Sequence, residues 1–398
     1  MKTEHMMESD RPPLVRFDLV HDGDPVSLSG YRPDIDGLRT FAIVSVLVFH
    51  AYPTLLPGGF TGIDICFVVS GFLISGVLSK QHKHRHFSYI SFCERRVRRT
   101  MPTLIVVLVM TLWLGYIFLR GVPLKHMVAT LSSTDVQALS LETASSKHGS
   151  NPLLHLWPLG VGGLFYIFWP CVCIVLIKQP YTRAVQLQIA FLALSFLINI
   201  IASVEKNHGN MAVFLMPLGR FWQLSMGGLL SYVMAEQATT SLTPLTDSSH
   251  FGAWMSAAGL GLVVIGLVFI ESQSAFPGIW ALLPTAGATL LLAGGPQAPF
   301  NRYVLSNTML MQFGKISYGL YLWHWPLLVI SNHQYPPATS RPFTVEPWCM
   351  LLVSVALSII THGEVEHPLR RSTAKWITPA IALCVLGLAA VVVTLHML

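Results

Sequence analysis

The sequence has 398 residues, of which 53% are hydrophobic and 11% are charged, and its mean hydropathy is +0.57. Soluble globular domains carry about 25% charged residues. The composition therefore excludes an ordinary soluble protein and indicates an integral membrane protein. The formal net charge of +6 does not indicate nucleic-acid binding, because the basic residues lie in short segments between apolar blocks.

Residues 1–30 are polar and mixed in charge and lack the apolar core of a secretory signal, so we expect a flexible cytoplasmic tail there. Beyond it, blocks of about 20 mostly apolar residues are long enough to cross a bilayer as helices. We expect a membrane domain over 31–371, an additional C-terminal transmembrane helix over 372–398, and a loop at 121–151. The sequence predicts an all-α polytopic membrane protein with about eleven spans, near 38–55, 59–78, 102–120, 152–178, 184–204, 212–235, 252–271, 276–295, 311–332, 347–365 and 375–397.

The basic segments predict the orientation of these spans. The most basic stretch, residues 79–99, lies between the second and third predicted spans, and "KQPYTR" and "EHPLRRSTAK" lie at two later connections. Short basic loops stay on the cytoplasmic side. All three fall on one side of the membrane if the N-terminus is cytoplasmic and the C-terminus is external.

The first predicted span carries Arg39 at its beginning and His50 eleven residues later. In a helix the two side chains share one face and lie about 16 Å apart along the axis. Ionisable residues within a membrane face the protein interior or a water-filled cavity, and they mark functional sites. The structural alternative is that Arg39 anchors the helix at the cytoplasmic surface while His50 makes one interhelical hydrogen bond.

Other polar residues fall within or at the ends of the predicted spans. Asp64 and Ser70 belong to the glycine-rich "GGFTGIDICFVVSGFLIS", and His324 lies in "KISYGLYLWHWPL". His155, Arg220 and Tyr318 complete the candidate set, with packing as the alternative for the tyrosine. Residues of this kind line the pathway of a transporter equally well, so a carrier without chemistry is the main rival to an enzyme.

Several motifs in this order resemble the acyltransferase-3 family of membrane acyltransferases. "YRPDIDGLRTFAIVSVLVFH" is similar to the first helix of the family, with its Arg-x10-His signature at Arg39 and His50. The stretch "GGFTGIDICFVVSGFLIS" is similar to the second motif, and "FCERRVRRTMP" to the basic stretch before the third helix. "ISYGLYLWHWPL" matches the late motif, and "EHPLR" the closing Glu-x-Pro motif.

The resemblance implies transfer of an acyl group, usually acetyl, from cytoplasmic acetyl-CoA to a hydroxyl of a cell-envelope glycan or lipid-linked glycan. It implies a multi-pass protein of the cell inner (plasma) membrane, in contact with membrane lipids, with acyl-CoA as donor substrate and no bound cofactor. We expect Arg39, His50 and Asp64 to form the catalytic centre, with His50 as general base or as acyl carrier. We expect the substrate-binding residues to be Ser70, His155, Arg220, Tyr318 and His324. Arg39 suits the phosphates of CoA.

The sequence departs from the family at its fourth motif. The family usually reads His-Thr-Trp-Ser-Leu-x-Val-Glu-Glu-Gln-Phe-Tyr, whereas "HLWPLGVGGLFY" has Gly162 and Gly163 in place of the glutamates. Gln223 likewise stands where the family usually has glutamate. These losses favour a second rival, a catalytically degenerate member that acts as a binding partner.

Two further expectations concern partners and metals. The chain ends after its last apolar block, so either a separate external esterase-like transferase receives the acyl group or the acceptor takes it directly. "HKHRH" at 82–86 lacks acidic or cysteine partners, so we expect no metal site.

Overall fold

The computed structural model describes residues 31–83, 87–119, 124, 127–128, 151–207, 217–240, 249–271, 276–336, 340–372 and 374–397. The described residues contain helices and no strand. The predicted tail, most of the predicted loop at 121–151 and the side chains of "HKHRH" lie outside them. The main helices are α1 Pro33–Ala51, α2 Gly62–Lys83, α3 Tyr89–Phe118, α4 Trp157–Ile177, α5 Tyr181–Asn207, α6 Phe221–Thr240, α7 Ser249–Phe269, α8 Leu282–Gly294, α9 Thr308–Gln334, α10 Pro347–Thr361, α11 His367–Arg371 and α12 Ile377–Met397.

Proline sets both ends of α1. Pro33 occupies the first turn, where its fixed φ suits a helix and its missing N–H is not needed. Pro53 restricts the residue before it to extended conformations, and Tyr52 has φ −141° and ψ 75°. The helix therefore ends at Ala51, four residues before the predicted end, and places His50 in its last turn.

The predicted basic loop at 79–99 is wrong for most of its length. α2 continues to Lys83, and α3 begins at Tyr89, thirteen residues before the predicted third span. The Ser88 side chain caps α3 by accepting the backbone N–H of Ser91. Arginine is a good helix former, so the basic run folds as the first turns of the third helix.

Seven described helices or helical runs are long and apolar enough to cross a membrane, which makes the chain a multi-pass membrane protein by length and composition. They are Gly59–Gln81, Tyr89–Phe118, Leu154–Ile177, Tyr181–Val204, His250–Phe269, Pro347–Arg371 and Ile377–Thr394. Every predicted span overlaps a helix. The count of eleven and the orientation of the termini remain predictions.

Several polar candidate residues lie on, or directly before, long helices outside that group. α1 bears Arg39 and His50, α9 bears His324, and Arg220 directly precedes α6. α1 packs on α2 and α9, and α2 packs on α6. More than half of α9 is buried, whereas most of α12 is exposed. The polar helices thus form the interior of the protein, where protein atoms replace lipid around their polar groups.

Glycines bring α2 and α6 into backbone contact. A Cβ at Gly71 would overlap the carbonyl oxygen of Leu224, and a Cβ at Gly227 would overlap that of Val68. Small residues let helices approach closely in membranes. This contact fixes the position of α2, and therefore of Asp64, against the beginning of α6.

Candidate active site

Three histidines from different parts of the chain meet in the interior. His50 comes from the last turn of α1, His324 from the middle of α9, and His155 from a short 3-10 turn just before α4. Nδ1 of His50 lies 2.9 Å from Nε2 of His324, and the two rings are nearly parallel. The ring centroids of His155 and His324 are 5.9 Å apart. We call these residues the histidine cluster.

A proline in α9 explains how His155 is held. Pro326 has no N–H, so the carbonyl of Leu322 lacks the hydrogen bond that a helix would normally supply. Nε2 of His155 lies 3.2 Å from that carbonyl oxygen, which fixes it as the donor in this contact. The Tyr321 hydroxyl donates to the backbone carbonyl of His155. The carbonyl that Pro326 leaves free in α9 thereby holds the turn before α4 in place.

His50 is the member of the cluster with access to its surroundings. It is half-buried, whereas His324 is fully buried and His155 is 5% exposed. The Trp325 ring lies 4.5 Å from the His50 ring, and the Trp325 indole N–H donates to the carbonyl of Asn151. His50 is therefore the one ring of the cluster with partial surface exposure, while the other two are enclosed.

Asp64 lies apart from this cluster, in an ion pair. Its Oδ1 is 2.9 Å from Nη1 of Arg220, and both side chains are 2% exposed. Gln223 donates its amide to the same oxygen. The Arg220 guanidinium also lies over the rings of Trp157 and Phe276. The structure therefore pairs Asp64 with Arg220, and its expected place in a catalytic centre with His50 stays a prediction.

A basic cluster lies beside the first half of α1. Arg39 is 21% exposed and lies 3.6 Å from Asp36. Arg99, on α3, is within electrostatic range of Arg39, Arg96 and Arg370. We call these four residues the arginine cluster. Arg99 was predicted only as part of a basic loop, and its position on α3 brings it within electrostatic range of Arg39 on α1.

A second carboxylate, besides Asp36, reaches the arginine cluster. Glu366, which is 5% exposed, is within electrostatic range of Arg99. It ends a π-helical turn, His362–Glu366, and its Oε2 lies 3.2 Å from Nδ1 of His362. Single π-helical turns occur frequently at functional sites, a signal that is invisible in sequence spacing.

The remaining candidates lie along the interior helices. The Tyr318 hydroxyl donates to the carbonyl of Thr100 and so ties α9 to α3. Ser70 is half-buried on α2, about one turn beyond Cys66. Trp325 and Tyr321, which were not among the predicted site residues, both touch the histidine cluster. Among the described residues, no group of three His, Cys, Asp or Glu side chains is arranged to hold a metal.

The glycines of the fourth motif leave space on α4. Gly162 is buried, yet a Cβ there would meet nothing nearer than the ring tip of Tyr166, at 3.9 Å. A Cβ at Gly163 would meet nothing within 4 Å. The same Tyr166 ring lies 5.1 Å from the Arg96 guanidinium. A side chain at position 162 would thus have stood beside Tyr166.

A sequence model of the acyltransferase-3 family, described as an acyltransferase domain, matches residues 32–363. This match covers most of the chain and contains both the histidine cluster and most of the arginine cluster. The chain belongs to the acyltransferase-3 family.

Two relatives of the family illustrate the likeness. The chain is 25% identical over 364 residues to "O-acetyltransferase OatA" of Staphylococcus aureus (strain NCTC 8325), a match that covers 87% of this chain and 58% of that protein. It is 26% identical over 352 residues to "Putative peptidoglycan O-acetyltransferase YrhL" of Bacillus subtilis (strain 168), which covers 85% and 55%. The chain thus spans between 55% and 58% of the length of these relatives. No solved structure matches the chain.

Proposed function

We propose that the chain is an O-acyltransferase of the cell inner membrane that moves an acyl group, acetyl in the first instance, from acyl-CoA to a hydroxyl of an envelope glycan or lipid-linked glycan. One observation carries this proposal: a single helix, α1, presents a half-buried histidine in its last turn and, eleven residues earlier on the same face, the arginine of a basic cluster. A donor with phosphates and a neutral hydroxyl acceptor need these two environments.

At the histidine end, His50 acts as general base. It takes the proton of the acceptor hydroxyl as the acceptor oxygen attacks the carbonyl carbon of the thioester. The carbon–sulfur bond then breaks, and the CoA sulfur leaves with the proton that His50 returns. The products are an ester and CoA with a free thiol, so no electron donor and no metal is needed.

At the arginine end, the guanidinium groups of Arg39 and Arg99 bind the phosphates of CoA. Guanidinium forms charge-assisted, bidentate hydrogen bonds to phosphate. Arg39 lies about 16 Å from His50 along the helix axis, so the acyl group reaches the base through the length of the pantetheine arm. If the predicted orientation holds, the donor enters from the cytoplasm and the acceptor from outside.

The names of the relatives support this class of reaction. OatA is named an O-acetyltransferase, and the name of YrhL specifies peptidoglycan. Both proteins are considerably longer than the matched region. We propose direct transfer to the acceptor, with a separate external esterase-like transferase as the alternative route.

The test is CoA release by the purified full chain in lipid nanodiscs, with acetyl-CoA and a panel of lipid-linked glycans. We expect release by the wild type and by His333→Ala, whose residue is exposed near the end of α9, and none by His50→Ala. Binding of acetyl-CoA without release of CoA in the presence of any acceptor would favour a degenerate binding protein. Passage of acetyl-CoA or glycolipid across the bilayer without release would favour the carrier.

A further inference from the structure

We propose that His324 is a positioning residue: it fixes the tautomer of His50 so that Nε2 of His50 carries the lone pair that accepts the proton of the acceptor. This inference rests on the proposed function, in which His50 is the base. It assigns to His324 a role other than the substrate binding that the sequence suggested.

The argument begins at a backbone carbonyl. Nδ1 of His324 lies 3.2 Å from the carbonyl oxygen of Leu320. A carbonyl oxygen can only accept a hydrogen bond, so Nδ1 of His324 bears the hydrogen. A neutral imidazole carries one hydrogen, which leaves Nε2 of His324 as an acceptor.

The contact between His324 and His50 then determines which nitrogen of His50 carries its hydrogen. Nε2 of His324 lies 2.9 Å from Nδ1 of His50. Because the His324 nitrogen is an acceptor, the hydrogen between the two rings belongs to Nδ1 of His50. Nε2 of His50 is then the unprotonated nitrogen of a neutral ring, as a general base requires.

The reverse arrangement is disfavoured by the same contacts. If His324 donated from Nε2 as a neutral ring, the lone pair of its Nδ1 would face the lone pairs of the Leu320 carbonyl. If His324 carried hydrogens on both nitrogens, it would be a cation at a fully buried position, which is costly without a paired anion. The rings that contact it are His50, His155 and Tyr321, and none of these is a carboxylate.

Burial separates His324 from substrate. Its side chain is 0% exposed and both of its ring nitrogens are engaged. It therefore acts through His50, and its replacement should slow the chemical step without weakening the binding of the donor.

The tautomer can be read directly by nitrogen NMR of the full chain, labelled with ¹⁵N-histidine and held in nanodiscs. The His50 signal is assigned by its loss in His50→Gln. We expect a hydrogen on Nδ1 and none on Nε2 of His50 in the wild type. His324→Gln keeps an acceptor oxygen near the position of Nε2 and should preserve that tautomer, whereas His324→Leu should give a mixture of both.

The value of kcat should depend on which tautomer of His50 is present. We expect His324→Leu to lower kcat about 10²-fold or more, with the KM for acetyl-CoA unchanged. His324→Gln should recover most of the loss, and His333→Leu, an exposed position near the end of the same helix, should resemble the wild type. If His324 had only a structural role, both His324 variants would instead yield less folded protein.

The outcomes separate the two proposals. A hydrogen on Nε2 of His50 in an active protein, or equal loss of kcat in His324→Leu and His324→Gln, would overturn the positioning role and leave the transferase standing. Because the tautomer is read without turnover, a hydrogen on Nδ1 in a protein that transfers nothing to any acceptor would overturn the proposed function alone.

Discussion

Oδ1 of Asp64 lies 2.9 Å from Nη1 of Arg220, in an ion pair whose two side chains are each 2% exposed. The pair joins the first turn of α2 to the residue that precedes α6. Because Arg220 also stacks on Trp157, the first residue of α4, the pair ties together three helix ends beside the turn that holds His155. The pair therefore stabilises the start of α4, which directly follows the turn with His155, and a catalytic part for Asp64 stays a prediction.

Removal of one partner of this pair should be strongly destabilising. Asp64→Leu leaves the buried Arg220 without its carboxylate, and the expected loss of unfolding free energy is about 3–5 kcal/mol. The double variant Asp64→Leu/Arg220→Met buries no charge and should be more stable than Asp64→Leu alone. Thermal unfolding of the purified variants in detergent measures both. A double variant less stable than both single variants would contradict this view of the pair.

Gln223 belongs to the same hydrogen-bond network, in which Asp64 is the carboxylate that it contacts. It is fully buried, and its amide donates to Asp64 and contacts the Thr285 hydroxyl at 3.4 Å. Gln223→Glu replaces a donor by a second carboxylate facing Asp64, and we expect a loss of about 2 kcal/mol or more of stability. Gln186→Glu, at an exposed position on α5, is the matched control and should change the melting temperature little. Equal melting temperatures for the two variants would contradict the prediction.

Two glycine-to-alanine variants should move stability in opposite directions. Gly71→Ala places a methyl group into the backbone of α6, and the helices must separate, at a cost of about 1–3 kcal/mol or more. Gly162→Ala meets only the ring tip of Tyr166, and it should stabilise α4 by about 0.5–1 kcal/mol because alanine loses less backbone entropy than glycine. Thermal unfolding of the two variants, followed as the ratio of folded to unfolded protein, tests both predictions. A Gly71→Ala protein as stable as Gly162→Ala would show that α2 and α6 do not meet as described.

The sequence predicted the membrane class, the family and the position of Arg39 and His50 on one helix. The first and third of these depend on local patterns: apolar blocks, and the 3.6-residue repeat of a helix. α1 is continuous from Pro33 to Ala51, so the predicted relation along the helix holds. The family depended on motifs that the chain carries in order.

The partners of these residues could not be predicted in this way. His50 and His324 are 274 positions apart, and Asp64 and Arg220 are 156 apart. Helical spacing says which face a side chain occupies but not which distant helix packs there. The Leu322 carbonyl that accepts from His155 is one that Pro326 leaves without its helical hydrogen bond, and this contact becomes visible only once the two helices are placed together.

The basic run before the third span was predicted as a loop because its charge obscured its helical propensity. The structure shows it as the start of α3, which brings Arg99 to the arginine cluster. Charge separates cytoplasmic from external segments but does not separate loop from helix.

Loss of one arginine should weaken donor binding selectively. We expect Arg39→Gln to raise the KM for acetyl-CoA about 10–100-fold with a smaller effect on kcat, because the lost contact is a charge-assisted hydrogen bond to phosphate. Arg39→Lys should restore only part of the affinity, since an ammonium group lacks the bidentate fork. Arg183→Gln, at an exposed position at the beginning of α5, is the control. Initial rates across a range of acetyl-CoA concentrations give both constants, and an unchanged KM in Arg39→Gln would exclude this phosphate contact.

The central claim is that donor and acceptor meet at His50 from opposite ends of α1. The most direct measurement is acyl transfer in sealed proteoliposomes of known protein orientation, with labelled acetyl-CoA added on one side only and the lipid-linked glycan in the other leaflet. The account predicts labelled glycan only when the donor is on the side that bears Arg39, and none with His50→Gln from either side. Equal labelling from both sides, or a wild-type rate in His50→Gln, would contradict it.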